Sequence, residues 1–300
     1  MRPGVYAPAA DWRGLSPWDR YLVRVHAVAQ TWSEPVFCLE SAAVLQGLPV
    51  FGEPRHIHLL SANGTTWRQG DVWVHGSRDA RAIVTREGLR LTAPEETTLD
   101  LCRVLPPAFA LAVADSALRS LHTLGRTLDL GERGRQQSNR RGLRQLDWLQ
   151  ARATHVAESP GESVSRAAIE WLGYEEPELQ TTFEREGVVD RADFYWRARR
   201  VIGESDGYGK YDADDPETMK AHFVREKLRE DRLRRYEAGF IRWDWSDVVG
   251  GSGLDEKLRL GGLARIRPVQ MSLLATLTGP HPRSVALSRR TRGRAPNQRS

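Results

Sequence analysis

The sequence predicts a mixed α/β protein of the α+β class, built from two unlike halves. Helical patterns of apolar residues alternate with short β-patterned segments along the 300 residues. The second half follows one order of elements: helix, three strands, helix and strand. A hydrophobic content of 40% is enough for two modest cores, so we expect domains at 21–155 and 156–250, flanked by 1–20 and 251–300.

In the first half, apolar residues at helical spacing predict helices at 19–31 and 40–48, the second ended by Gly47 and Pro49. Strand-like segments follow, at 56–60, 72–75 and 82–85. Two further helices are predicted at 92–105 and 107–121. A polar stretch rich in Arg and Gly, 131–144, leads through one more helix to a linker before Ser159.

In the second half, a helix is predicted at 162–172 and a strand at 178–183, followed by two strands around Asp193 and Glu204. A charged helix at 216–238 precedes a last strand at 240–245, in which Trp243 and Trp245 have the alternation of core residues. Short helices at 254–263 and 269–277 precede a basic terminus.

Four charged side chains between 191 and 211 suggest a catalytic site. Asp193 lies on one strand, Glu204 and Asp206 lie on the next, and Lys210 follows a Gly-Tyr-Gly turn. The connector at 197–199 is short enough for a hairpin that brings Asp193 beside Glu204. Alternation along a strand directs Glu204 and Asp206 to one face.

Gathered carboxylates with a nearby cation suit a Mg²⁺ (or Mn²⁺) site for phosphodiester cleavage, with Asp193 and Glu204 as metal ligands. Lys210 would stabilise charge on the phosphate. Lysine is a rare choice in this chain, since only 4 of its 44 basic residues are Lys. The alternative is a solvated hairpin whose charged side chains face water.

The pattern Asp193, Glu204-x-Asp206-Gly207 and Lys210 resembles the PD-(D/E)xK nucleases, most closely their very-short-patch-repair (Vsr)-like endonuclease branch. The resemblance covers about residues 158–248 and implies a restriction-endonuclease-like α-β-β-β-α-β domain acting on DNA. The usual lysine, two residues after the glutamate, is replaced by Asp206. Either Lys210 takes over its role or that role is vacant.

The resemblance also implies a glutamate from the first helix, which would be Glu162, as a ligand of metal or water. The segment from Ser159 to Glu162 is equally a capping box. On the charged helix, Lys227 and Arg229 either contact the DNA backbone or lie on a solvated face, where Lys227 and Asp231 have ion-pair spacing. Arg242 is another phosphate candidate, with an ordinary outward-facing residue as the alternative.

The first half resembles actinobacterial AbiEi-type antitoxins of type IV toxin–antitoxin systems, through SAAVLQGLP, TAPEETTLDLCR and FALAVADSALRSL. In those relatives a segment like RPGVYAP closes the wing of a winged helix-turn-helix, so residues 1–20 are expected to be a wing remnant without its recognition helix. The resemblance implies a transcriptional regulator with a possible cognate toxin. A DNA-binding regulator carrying an inactive nuclease fold is therefore the second hypothesis.

Composition limits the remaining possibilities. Six arginines and no acid lie in 281–300, so the other residues have a net charge of −1 and any DNA surface on them is a local patch. Cys38 and Cys102 predict no disulfide framework, and no apolar run is long enough for a membrane span or signal region, so we expect a cytoplasmic protein.

Three histidines, His56, His58 and His75, lie on strand-like segments of the first half. No carboxylate or cysteine is spaced to complete a zinc site with them, so they are interpreted as structural.

Overall fold

The computed structural model describes residues 4–6, 8–207, 216–250 and 252–278, excepting the side chains of 216–223. It is an α+β protein with two mixed sheets, as predicted. The helices are α1 (Ala9–Gly14), α2 (Pro17–Thr31), α3 (Leu39–Gln46), α4 (Pro94–Val104), α5 (Pro107–His122), α6 (Leu130–Gln136), α7 (Leu143–Gln150), α8 (Pro160–Trp171), α9 (Pro216–Tyr236), α10 (Trp245–Val249), α11 (Gly253–Leu260) and α12 (Met271–Thr278). The strands are β1 (Val36–Phe37), β2 (Ile57–Leu60), β3 (Trp67–Gln69), β4 (Val72–His75), β5 (Ile83–Arg86), β6 (Leu89–Thr92), β7 (Glu178–Arg185), β8 (Val188–Trp196), β9 (Val201–Asp206) and β10 (Gly239–Asp244).

The first sheet has six strands in the order β3-β4-β2-β1-β6-β5. Strands β1, β3 and β6 were not predicted, because they are short or lack a distinct alternation of apolar residues. The β5–β6 hairpin turns at Glu87 and Gly88, whose φ angles of 50° and 78° are those of a type I′ turn. Helices α2 and α3 cover this sheet, and Tyr21, Val25 and Ala42 are among the fully buried residues of its core.

The second sheet has the order β10-β9-β8-β7, and it confirms the predicted sequence of elements α8-β7-β8-β9-α9-β10. Strands β7, β8 and β9 form two successive antiparallel hairpins, while β10 lies parallel to β9 after the α9 crossover. The parallel register pairs Arg242 with Glu204 and Asp244 with Asp206.

The largest core cluster contains side chains from both sides of residue 155, from α4 and α5 through α8 to β8 and β10. One buried ion pair also crosses this position: Arg166 of α8 donates to Asp115 of α5 at 2.9 Å. A smaller cluster between the second sheet and α9 includes Ile202 and Leu233. The carboxyl end of β9 therefore lies between α8 on one side and α9 on the other.

Some boundaries differ from the sequence analysis. The last strand ends at Asp244, and Trp245 begins α10, because Asp244 and Asp247 form a capping box there. Trp243 is a core residue, as predicted. Helix α6 lies in the polar stretch where no helix was predicted, and Asp129 caps it through Glu132 N.

Within segment 1–20, residues 4–6 and 8–20 contain α1 and the start of α2, and no strand. Neither α1 nor the other helices of the described residues combine the length and apolarity that crossing a membrane requires. The basic terminus lies outside the described residues.

Candidate active site

Asp193, on the inner strand β8 of the second sheet, lies between two other carboxylates: Glu162 in the first turn of α8, which Gln180 links to it, and Glu204 on the neighbouring strand β9. The β8–β9 register pairs Phe194 with Gly203, so the hairpin brings Asp193 to the level of Glu204, as predicted. Asp193 Oδ2 accepts a hydrogen bond of 3.0 Å from Ser205 N, which fixes its carboxylate on β9. We refer to Glu162, Asp193 and Glu204 as the carboxylate cluster.

Glu162 serves the helix end and the cluster at once. Ser159 Oγ caps α8 by accepting from Glu162 N at 3.1 Å. The Glu162 carboxylate reaches back to the amide of Glu158, at 2.9 Å, one residue before the cap. The same oxygen accepts a hydrogen bond of 2.8 Å from Gln180 Nε2. The Ser159 cap is therefore present, but the return bond goes to Glu158 and not to the Ser159 amide that a capping box requires. The role of Glu162 toward metal or water stays a prediction.

Gln180 of β7 is the site residue that sequence reasoning missed. Its Nε2 lies 2.8 Å from Glu162 Oε2 and 3.4 Å from Asp193 Oδ1, so it bridges the two carboxylates. Its backbone is left-handed, with φ 52°, a conformation that costs a non-glycine residue about 1 kcal/mol or more. Its Oε1 is buried without a hydrogen-bond partner among the described residues. No sequence signal distinguishes this Gln, because strand patterning does not reveal a backbone outlier.

Two carboxyl groups of the cluster, those of Glu204 and Glu162, have pKa values above the usual value of a glutamate. Burial raises the pKa of Glu204 to about 7; Arg229 opposes this shift and the charge of Asp193 adds to it. Burial also raises the pKa of Glu162, again with a contribution from Asp193. Buried carboxylates with raised pKa values, here Glu162 and Glu204, are typical of sites that take a proton or a cation.

Arg229 of α9 occupies the open side of Glu204. Its two terminal nitrogens donate to Glu204 Oε1 at 3.2 Å and Oε2 at 3.0 Å, and it also binds Glu226 and the carbonyl of Arg191. The sequence analysis placed Arg229 on the DNA backbone or on a solvated face. Arg229 is turned inward, so the solvated face is wrong, because docking of α9 on the sheet directs this side of the helix toward β9. Its contact with the DNA backbone stays a prediction.

Asp206 and Arg242 form a second pair beside the first. Arg242 donates to both Asp206 oxygens at 2.7 and 3.1 Å, and to Glu230 Oε2 at 2.9 Å. Glu226 lies within 2.9 Å of Arg229 and 3.4 Å of Arg242. Glu204 and Asp206 thus lie on the side of the sheet that α9 covers. Arg242 is held in this network and is not an ordinary outward-facing residue, while its binding to phosphate stays a prediction.

Of the two lysines in the candidate site, the structure describes Lys227 but not Lys210. Lys227 is exposed and pairs with Asp231 at 3.1 Å across one helical turn, as its spacing predicted for a surface helix. Lys210 lies outside the described residues.

The donor chemistry of the cluster suits a hard cation, since all three groups offer carboxylate oxygens. The arrangement does not fit one as it stands, because the Arg229 guanidinium holds both oxygens of Glu204. Across residues 4–6, 8–207, 216–250 and 252–278, no three His, Cys, Asp or Glu side chains are placed to hold a metal ion.

Comparison with known proteins identifies relatives in mycobacteria. No protein-family model matches the chain, and no solved structure does. Two sequences from Mycobacterium tuberculosis, the uncharacterized proteins MT2308 and Rv2248, are each 30% identical to it over 200 residues. The matched region is 66% of this chain and 70% of each relative. The chain belongs to the same protein family as these two mycobacterial proteins.

Proposed function

We propose that residues 156–250 form a metal-dependent endodeoxyribonuclease site of the PD-(D/E)xK, Vsr-like type, joined to an AbiEi-antitoxin-like first half in a cytoplasmic protein. The reaction is hydrolysis of a phosphodiester bond in DNA, in the context of phage defence or of a toxin–antitoxin system. The observation that carries the proposal is the position of Asp193 beside Glu204 on the β8–β9 hairpin and, through Gln180, beside Glu162, within an α-β-β-β-α-β unit.

The electrostatics of the cluster support a hydrolytic role. Burial raises the pKa of Glu204 to about 7 in spite of its pair with Arg229, and it raises the pKa of Glu162 as well. Carboxylates with such raised pKa values cluster at functional sites. Gln180 connects two of them at 2.8 and 3.4 Å, and its strained backbone lies at the same point. Local strain of this kind concentrates at functional sites.

Mg²⁺ or Mn²⁺ is the cofactor of this proposal, and Asp193 and Glu204 would hold it, with Glu162 acting on metal or water. Bound there, a divalent cation supplies polarisation of a phosphate and an activated water. Glu204 becomes available only when Arg229 releases it. A DNA phosphate is a suitable competitor for this guanidinium, because Arg binds phosphate and carboxylate in the same bidentate geometry.

Other residues have supporting roles in the proposal. Lys210 would stabilise charge on the phosphate undergoing attack, and Asp206 would assist at the cation if Arg242 released it. Lys227 is an exposed basic residue on α9, where it can contact the DNA backbone after leaving Asp231.

The second candidate function is a DNA-binding transcriptional regulator or antitoxin in which the nuclease fold is inactive, with a cognate toxin as partner. Two observations favour it. Asp206 stands where the superfamily has its lysine, and both Glu204 and Asp206 are neutralised by arginines. In that case Arg229 and Arg242 are permanent structural counterions.

A cleavage and binding assay on one preparation separates the two functions. Supercoiled plasmid, linear duplex, single-stranded DNA and RNA are each incubated with the protein and Mg²⁺, Mn²⁺ or EDTA. Metal-dependent cleavage of a DNA substrate supports the nuclease. A shift of duplex DNA in a gel, without cleavage in any metal, supports the regulator and overturns the nuclease.

A further inference from the structure

A second candidate site lies in the first half of the chain, where a pocket of about 410 Å³ opens at the carboxyl ends of β2 and β4. Leu60 and His75 end these two strands, which are parallel neighbours. The other walls come from the segment at 76–81 that follows β4, from α3 and the residue before it, from α4, and from the loop at 138–139. The pocket has the volume of a small-molecule site, and the crevice beyond the ends of parallel strands is a frequent place for one. None of its lining residues belongs to the carboxylate cluster.

The lining is rich in cationic donors. It includes Arg78, Arg81 and Arg103 against two acids, Asp79 and Asp100. Asp79 is already engaged, since Ser138 N donates to it at 2.8 Å. Asp100 accepts two hydrogen bonds from Arg81, at 2.9 and 3.2 Å. Arginine is therefore in excess over available acid at this pocket.

Two of these guanidinium groups have buried nitrogens without an acceptor. The Arg81 side chain is 8% exposed, and its Nη1 makes no hydrogen bond within the described part of the chain. Glu96 Oε2 lies 3.8 Å away, beyond hydrogen-bond range. Arg103 Nε is also buried without an acceptor among the described residues. A buried donor left without a partner costs about 1–3 kcal/mol. These two nitrogens lie beneath the pocket surface, so they add positive charge beside the pocket, and this charge favours an anionic ligand there.

A buried chain of polar groups supports the opposite wall. His75 lines the pocket, and its Nε2 lies 2.8 Å from His58 Nδ1. The other nitrogen of His58 lies 3.4 Å from Glu40 Oε2, and both His58 and Glu40 are buried. A carboxylate behind two imidazoles fixes ring orientation and allows a proton to be held at the pocket. The proposed nuclease site uses none of these groups.

We propose that this pocket binds a small molecule carrying a phosphate group, held by Arg78 and Arg81 with His75 as a further hydrogen-bond partner. Guanidinium groups and an imidazole together provide more donors than a planar carboxylate accepts, whereas a phosphate has three terminal oxygens. The volume leaves room for an attached nucleoside-sized group. The site does not depend on the proposed nuclease function.

Isothermal titration of the full chain with inorganic phosphate, adenosine monophosphate and succinate tests this proposal. We expect both phosphate probes to bind, the nucleotide more tightly, and Arg78→Ala to weaken binding by about tenfold. Arg78 is exposed and has no ion pair in the described part of the chain, so this variant should fold. Arg86→Ala is the matched control, because it removes the same charge from exposed β5 outside the pocket.

A pocket-filling variant gives a test independent of charge. Val104 lines the pocket and is 43% exposed, so Val104→Trp should abolish binding of both phosphate probes without removing a core residue. The proposal is overturned if neither phosphate probe binds, if succinate binds as tightly as phosphate, or if Arg86→Ala weakens binding as much as Arg78→Ala does.

Discussion

Arg229 and Glu204 form a two-pronged ion pair between α9 and β9, with nitrogen–oxygen distances of 3.2 and 3.0 Å. Glu204 is only 4% exposed, so the pair lies at the inner end of the carboxylate cluster. The contact is compatible with both proposed functions. In a nuclease, Arg229 would release Glu204 so that Glu204 can bind a cation; in a regulator, Arg229 would stay on Glu204.

The first prediction concerns the competition between Arg229 and a cation. Arg229→Met removes the guanidinium from Glu204, so we expect the Mn²⁺ dissociation constant, measured by titration calorimetry at a pH above the Glu204 pKa, to fall by about tenfold. Arg225→Met on the same helix is the control, since Arg225 is exposed. Equal Mn²⁺ affinity in wild type and both variants would show that Arg229 does not close a metal site.

The second prediction concerns pH and stability. Because burial raises the pKa of Glu204 from 4.5 to about 7, the folded state keeps a proton that the unfolded chain has lost. The stability contributed by this group is therefore complete below pH 4.5 and is lost as the pH rises through about 7. Glu204→Gln cannot ionise, so its free energy of unfolding in urea should increase relative to wild type between about pH 5 and pH 8.

Parallel pH profiles for wild type and Glu204→Gln would contradict the raised pKa. Glu184→Gln is the control, since Glu184 is an exposed residue of β7. If the site is a nuclease, the ionised form of Glu204 would hold the cation, so cleavage should be lost at a pH low enough to keep Glu204 protonated.

The third prediction concerns the glycine that precedes Glu204. A Cβ atom at Gly203 would lie 2.6 Å from the Trp243 ring and 3.0 Å from Trp196. Gly203→Ala should therefore destabilise the fold by about 1–3 kcal/mol, measured by urea unfolding. At Gly207 an added Cβ meets no atom of the described residues within 4 Å, so Gly207→Ala should change stability little. Equal stability of the two variants would mean that the tryptophans are less tightly packed on β9.

The fourth prediction concerns the ion pair that joins α5 and α8. Arg166→Met leaves Asp115, which is 1% exposed, without its guanidinium partner. Loss of one member of a buried pair costs about 3–5 kcal/mol, which chemical unfolding should reveal as a lower midpoint. Arg259→Met, at an exposed position of α11, should have little effect. A loss of similar size in both variants would contradict a special role for the Arg166–Asp115 pair.

Sequence patterns predicted the sheet hairpin and its carboxylates but not their counterions. Alternation and a short connector were sufficient to place Asp193 beside Glu204, because hairpin register is a local property. The positions of Arg229 and Gln180 depend on how α9 docks and on a left-handed backbone, neither of which leaves a local signal. Trp245 was misplaced because strand alternation continues through the cap at Asp244.

The histidines of the first half illustrate the same limit. His58 was interpreted as structural because no carboxylate is close to it in sequence. Glu40, 18 positions earlier, reaches it at 3.4 Å once α3 packs beside β2. Contacts between distant segments are set by packing, and single-sequence patterns do not report them.

The most direct test of the nuclease proposal is nicking of supercoiled plasmid with Mg²⁺ or Mn²⁺, comparing wild type with Asp193→Asn. Glu184→Gln is the matched control, because it makes the same carboxylate-to-amide change at an exposed position of the same sheet. The proposal predicts metal-dependent nicking by wild type and Glu184→Gln and a loss of about 100-fold or more in Asp193→Asn. Equal nicking by all three proteins, or none by any of them while duplex DNA is still bound, would contradict it.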